Sequence, residues 1–247
     1  MAVPSTCLAS LRVACSNCNL RELCLPVGLS GSELGQVEQI VATRRKIRRG
    51  ESLFRAGDRF ESLYAVRLGF LKSTLMSPDG HEQVTGFHMA GEVVGLDGIS
   101  AEAHTCDTVA LEDTEVCVLP YERLEEVAAA VPSLQNNLRK VMSREIVREH
   151  GVMLLLGSMR AEERLAAFLL NLSQRFEARG YSRTEFVLRM TRAEIGSFLG
   201  LKLETVSRAL SHFAQDGLIA VEQKHLQILD SDRLRAVLGS SVSKEAH

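Results

Sequence analysis

Apolar and polar positions along this chain fall into four stretches of different pattern. The first, 1–29, is short of charge and shows no sustained periodicity. The second, 30–131, carries short β-like runs at Ser62–Val66, Phe70–Leu75, Gln83–Phe87, Thr108–Leu111 and Glu115–Leu119. Turn signals separate them at Gly50, Gly57-Asp58, Gly69, Pro78-Asp79-Gly80, Gly91 and Gly95. Many short strands at such spacing predict a small antiparallel barrel or roll.

The third stretch, 132–159, has no proline after Pro132 and reads as one long helix. Leu138, Met142, Ile146, Met153 and Leu156 fall within roughly 80° of arc on a helical wheel, a narrow stripe like a coiled-coil seam. Glu149 lies in the middle of that stripe. The fourth stretch, 160–238, reads helix, helix, turn, helix, then two short strands. The remainder, 239–247, is small and polar and is expected to be disordered.

Within the fourth stretch, Thr191-Arg-Ala-Glu194 forms a capping box, in which each end of the first turn satisfies the other. Ile195, Phe198 and Leu199 give this short helix a buried face, and Gly200 supplies the left-handed conformation of a tight turn. A second helix, 203–215, buries Val206, Leu210 and Phe213. Lys202, Glu204, Thr205, Ser207, Arg208 and Ser211 are left facing outward near its start, where base contacts are made. Leu218–Val221 and Leu226–Leu229 follow as a hairpin wing. The wing and Arg192 suit phosphate contacts, which fix register without reading sequence. An ordinary helical hairpin with a solvated face is the competing reading, but it does not account for the order of cap, glycine turn, amphipathic helix and wing.

Composition adds limits. At 247 residues, 45% hydrophobic and 24% charged, the chain is an ordinary globular protein. A net charge of −2 excludes a broadly basic coat, so contact with DNA must be local. No apolar run is long enough to span a bilayer and the start lacks a signal region, so no membrane association and a cytoplasmic location are expected. Thiols stay reduced there, and the six cysteines are not read as disulfides.

Cys15-x2-Cys18-x5-Cys24 places three thiols in one loop-like segment. Together they can wrap a soft metal centre, with an iron–sulfur cluster or zinc as the natural candidates. A fourth ligand must come from Cys7, Cys106, Cys117 or another residue type, and spacing does not choose among them. Incidental buried thiols are the bland alternative.

The segment Thr191–Arg208 resembles the helix-turn-helix of the CRP/FNR superfamily, and Ala161-Glu-Glu-Arg-Leu-Ala-Ala-Phe168 is similar to what precedes it there. The Glu-x-x-Ser-Arg pattern of the FNR branch falls on Glu204, Ser207 and Arg208. Cys15–Leu29 resembles that branch's cluster motif, and Val116-Cys-Val-Leu-Pro120 matches the position of its distant fourth cysteine. Similarity extends to Ser62–Arg67 and Gly86–Gly91.

The resemblance implies an α+β chain: cysteine segment, antiparallel β-roll of the cyclic-nucleotide-binding jelly-roll type, dimerisation helix and C-terminal winged helix-turn-helix. It further implies a [4Fe–4S] cluster on Cys15, Cys18, Cys24 and Cys117, with Cys7 and Cys106 as spectators. The implied partners are a second copy of the chain, double-stranded DNA with a TTGAT-N4-ATCAA palindrome, and RNA polymerase through the 77–82 loop. Asn19 and Leu23 are the neighbours expected to influence the cluster's oxygen reactivity. The family usually carries Asp where this chain has Glu149.

Chemistry agrees at the DNA: Arg208 can donate twice to guanine and Glu204 can accept from a cytosine amino group. Cyclic-nucleotide binding is not expected, because the loop Ala101–Asp107 has no arginine for a phosphate, and Glu92 and Asp107 would repel one. The run Arg44–Arg49 reads as a solvated strand edge. His81, His88 and His104 lack metal-ligand spacing and read as surface or loop histidines. No nucleophile–base–oxyanion set is present, so no enzyme activity is expected. A regulator that senses thiol oxidation or holds zinc is one alternative; an iron–sulfur electron carrier is another.

Overall fold

A computed structural model describes residues 15, 18–41, 43–77 and 79–239. Cys7 and the residues after Gly239 lie outside the described residues.

The cysteine segment leads into α1 (Gly31–Ile40), which opens on a capping box between Ser30 and Glu33. The roll follows as β1 (Thr43–Ile47), β2 (Ser52–Phe54), β3 (Ser62–Leu68), β4 (Phe70–Met76), β5 (Glu82–Met89), β6 (Val93–Val94), β7 (Asp107–Ala110) and β8 (Thr114–Pro120). They form two four-stranded antiparallel sheets, ordered β1-β8-β3-β6 and β2-β7-β4-β5. The five expected strands are present with ends shifted by a residue or two. β1 is an exposed edge strand, as its run of basic residues suggests.

Helix α2 (Tyr121–Ala130) turns the chain into α3 (Pro132–Ser158), whose first turn accommodates Pro132 because an amide there has no helical partner. Then come α4 (Ala161–Glu177), β9 (Glu185–Val187), α5 (Arg192–Leu199), α6 (Leu203–Gln215), β10 (Ile219–Glu222), β11 (His225–Ile228) and α7 (Ser231–Ala236). The wing is a sheet of three strands, β10-β11-β9, with Gln223-Lys224 alone joining β10 to β11. Its third strand, β9, lies far enough upstream that the hairpin pattern does not announce it.

Three apolar clusters hold these parts together. One fills the roll interior around Leu71 and Val116. A second joins Leu25 and Leu29 of the cysteine segment to α1, α2, β3 and the start of α3 through Leu124, Leu134 and Leu138. The third runs from the roll's Phe70 and Phe87 into the helix-turn-helix core of Leu165, Leu169, Val206 and Phe213. Roll and DNA-reading helices therefore share one core.

Two sequence expectations are corrected. His88 and His104 are not surface residues; both are buried. His104 stacks on Phe54 with ring centroids 3.6 Å apart, and His88 Nε2 meets Ser73 Oγ at 2.9 Å. Burial holds His88 neutral, with its pKa lowered to about 3. Histidine spacing speaks to metal binding and says nothing of which strand face a ring occupies. His81 does lie exposed, beside Asp79.

The second correction concerns the stripe on α3. Leu138 is buried in its own chain's core, and Met142 and Leu156 pack against it as well. The apolar residues left exposed are Ile146, Val147, Met153 and Leu154, which centre on His150. The free stripe is rotated roughly 90° round the helix from the expected one. Glu149, also exposed, flanks it instead of dividing it. Of the expected face, Leu138 and Met142 pack into the cluster around α1, α2 and β3, Leu156 packs against the helix-turn-helix core, and Ile146 and Met153 stay exposed.

Candidate DNA-reading helix and cysteine cavity

The reading element is built from its caps inward. Thr191 Oγ1 accepts the Glu194 amide at 3.1 Å, and Glu194 returns the bond from the Thr191 amide at 2.7 Å. Gly200 ends α5 with φ of +62°. A side chain at Gly196 would meet the Leu201 carbonyl oxygen at 2.5 Å, so only glycine permits this close a turn. Val206, Ala209, Leu210 and Phe213 bury one side of α6. Lys202, Glu204 and Arg208 stand exposed on the other, with Thr205 and Ser207 half-buried and Ser211 exposed beside them. Arg192 is exposed at the start of α5.

Behind this open face, α5 is clamped to the roll. Ser197 Oγ accepts from the Val84 amide at 2.8 Å, and its carbonyl accepts from the Gln83 side chain. Lys72 reaches Glu194 at 3.1 Å and Glu82 at 3.2 Å, so the carboxylate that caps α5 also fastens it to β4 and β5. Phe87, Phe168 and Phe198 meet with centroids 5.3–6.0 Å apart. Arg164 joins the end of α3 to the turn between α5 and α6. It donates to the carbonyls of Leu156, Met159 and Leu199 at 2.8, 2.8 and 3.0 Å.

Glu92 forms a second clasp. Arg175 Nη2 donates to its two carboxylate oxygens at 3.0 and 2.8 Å, and Arg179 Nη2 donates to Oε1 at 2.6 Å. Arg148 of α3 approaches to 3.9 Å. Burial opposes ionisation of Glu92, but these guanidinium groups prevail and its pKa is lowered to about 2. The carboxylate read as a deterrent to phosphate is thus a bond between the roll and α4. Asp107 is engaged elsewhere, accepting the Ala56 amide at 2.7 Å. Arg175 and Arg179 lie 83 and 87 residues along the chain from Glu92, and their sequence carries no signal of the pairing.

The cysteine segment winds through successive tight turns, with Cys18 N to Cys15 O at 3.1 Å and Cys24 N to Leu20 O at 3.0 Å. This brings Cys15, Cys18 and Cys24 to one side. Cys117 arrives from β8, opposite Arg44 of β1 and Ala65 of β3. All four line one cavity, walled by Leu20, Leu25, Val37 and Leu119. Arg21, Arg44 and Arg67 also line it. Cys106 is buried elsewhere, with Sγ 3.5 Å from Asp97.

Burial pushes the Cys15 thiol up to about 11 and Cys24 up to about 12. Cys117 is raised for the same reason, and the four sulfurs' mutual repulsion adds to these shifts. Among the described residues, no three His, Cys, Asp or Glu side chains converge as tightly as a single ion requires. Four thiols spread round a cavity suit a polynuclear centre, whose metal atoms lie apart and each take one sulfur. Cationic walls suit its negative charge. The wall also holds an unpaired donor: Arg21 Nε is buried with no acceptor.

Two contacts tie this segment to the rest. Asn137 of α3, itself buried, donates through Nδ2 to the carbonyls of Leu25 at 3.0 Å and Val27 at 2.8 Å. Leu23 packs on Gly91, where an added Cβ would lie 2.8 Å from the Leu23 Cβ. Glu92, with its clasp on α4, is the next residue.

Among the described residues no helix is long and apolar enough to cross a membrane. Residues 163–237 match the Crp-like helix-turn-helix domain and residues 44–130 the Cyclic nucleotide-binding domain. The chain is 48% identical to the transcriptional activator protein Anr of Pseudomonas protegens, over 98% of this chain and 99% of that one. It is 44% identical to the fumarate and nitrate reduction regulatory protein of Salmonella typhimurium, over 92% of this chain and 91% of that one. Among solved structures, FixK2 from Bradyrhizobium japonicum superposes with a TM-score of 0.74 at 32% identity, covering 80% of this chain and 97% of that one. The chain therefore belongs to the FNR branch of the CRP/FNR superfamily, a family of DNA-binding transcription regulators and not of enzymes.

Proposed function

We propose that this regulator responds to oxygen: Cys15, Cys18, Cys24 and Cys117 hold a [4Fe–4S] cluster, and the chain binds a TTGAT-N4-ATCAA-like palindrome as a homodimer while that cluster is intact. The observation that carries the reading is that three cysteines of one short segment and a fourth from a distant strand line the same cavity. When bound, the cluster supplies a centre that oxygen converts or dismantles. The raised thiol pKa values mean that loading must displace protons, so uptake rises with pH.

The chain's own residues relay the change. Asn137 fixes the cysteine segment to the dimerisation helix, and Leu23 presses on the turn that positions Glu92. A segment drawn in by four sulfur ligands biases both contacts, and the required bias is a few kcal/mol. Ile146, Val147, Met153 and Leu154 then form the dimer seam, flanked by Glu149 and its mate in the partner subunit. Two such carboxylates near one interface oppose association. Dimerisation sets two α6 helices at the spacing of palindromic half-sites. There Arg208 reads guanine, Glu204 accepts from cytosine, Ser207 adds a polar contact, and Arg192, Lys202 and Thr205 hold the backbone. RNA polymerase is the proposed protein partner. Cyclic nucleotides are not proposed as ligands, since Glu92 is occupied by arginines.

Iron and acid-labile sulfide analysis of anaerobically reconstituted protein tests the cofactor. Four irons and four sulfides per chain are expected, lost together when Cys117 becomes serine. Zinc in place of iron would overturn the reading.

A further inference from the structure

We infer that Arg21 donates a hydrogen bond from Nε–H to a sulfur of the bound cluster and so slows the cluster's loss to oxygen; this rests on the cluster reading above. Three guanidinium groups line the cysteine cavity, and they are not equivalent. Arg67 Nη1 lies 2.8 Å from Glu115 and Arg44 Nε lies 3.6 Å from the same carboxylate, so their charges are spoken for. Arg21 is different. Its Nη2 donates to the Leu29 carbonyl at 2.8 Å, which fixes the guanidinium plane, while Nε is buried with no acceptor. Its nearest carboxylate, Glu22, stands 4.0 Å from Nε, beyond hydrogen-bonding reach.

A buried N–H left without an acceptor costs its desolvation penalty, which a sulfur acceptor would offset. Arg21 sits midway between Cys18 and Cys24, and its amide donates to the Cys18 carbonyl at 3.1 Å. Arg21 lines the same cavity as the four cysteines, so a sulfur centre held there would offer an anionic acceptor to its N–H. Hydrogen bonds to cluster sulfurs and nearby charge set how readily an electron is removed. When dioxygen takes one electron and becomes superoxide, the centre becomes less negative, and a fixed guanidinium donor opposes that change.

The test compares wild type with Arg21→Gln and Arg21→Lys; the lysine variant keeps a positive charge but loses the Nε donor. Each is reconstituted anaerobically, assayed for iron, examined by resonance Raman in the iron–sulfur stretching region, and then exposed to air while its visible band is followed. Both variants are expected to load like wild type, to show shifted stretching bands, and to bleach roughly tenfold faster, the scale of losing an outer partner at a metal site. Unchanged bands and bleaching rates overturn it. So does a fall in apoprotein melting temperature large enough to account for the loss, which assigns Arg21 to the apo fold through Leu29. Wild-type protein that takes up no iron sinks the cluster reading itself.

Discussion

Replacing Glu92 with glutamine asks how firmly the roll holds the DNA-reading half. The wild-type carboxylate accepts from Arg175 and Arg179 across the interdomain boundary and from the Met89 amide at 3.1 Å. Glutamine keeps the shape and one acceptor oxygen but leaves two half-buried guanidinium groups facing a neutral amide. Breaking one side of a fully buried pair costs roughly 3–5 kcal/mol. Glu92 is 24% exposed and Arg175 keeps its bond to the Phe87 carbonyl, so the expected loss is nearer 2–3 kcal/mol. In urea unfolding this lowers the midpoint, and the roll and wing signals cease to coincide. A double-mutant cycle with Arg179→Leu isolates the pair from general damage. The pH dependence carries a sign of its own. The Glu92 pKa falls from 4.5 to about 2 on folding, so its contribution is complete above pH 4.5 and fades as pH drops toward 2. Wild type should lose its advantage over the variant across that window. A loss below about 1 kcal/mol, the value of an exposed pair, or a coupling energy near zero, would refute the clasp.

Other substitutions separate the remaining links. Arg208→Ala should weaken palindrome binding by roughly 1–3 kcal/mol and relax preference at one base pair, as read by competition among half-site variants; an unchanged preference removes Arg208 from the readers. Glu149→Ala should dimerise in air by sedimentation analysis, and Leu154→Glu should block association even anaerobically. Persistent monomers in the first case, or dimers in the second, contradict the seam. Asn137→Ala removes two hydrogen bonds to the cysteine segment, worth roughly 1–3 kcal/mol together. It should leave iron loading intact while uncoupling it from dimerisation; full coupling would show that the relay runs elsewhere.

How much of this could be read from the sequence depended on range. The helix-turn-helix was legible because Thr191, Glu194, Gly200 and the buried face of α6 are all local signals. The five central strands were legible because glycines punctuate them. Helices α1 and α2 were overlooked inside the β-rich stretch, although Ser30 and Glu33 form a capping box of the same kind as Thr191 and Glu194. Three cysteines announce themselves by proximity, whereas Cys117 reaches the cavity only through the pairing of β8 with β1 and β3. Spacing could not choose it; family resemblance could. The stripe on α3 was legible only in part: Ile146 and Met153 are exposed, but periodicity does not show that Leu138, Met142 and Leu156 pack on their own chain. Asn137, Arg164, Arg175 and Arg179 carry no pattern at all, since each acts on a partner the fold supplies.

The most direct test of the central claim is the affinity of anaerobically reconstituted protein for a labelled TTGAT-N4-ATCAA duplex, before and after air, with bound iron measured on the same samples. The account predicts tight binding as a dimer while the cluster is intact, and a fall in affinity that tracks cluster loss. Binding that is equally tight in apoprotein, or unchanged by air while the iron disappears, would contradict it.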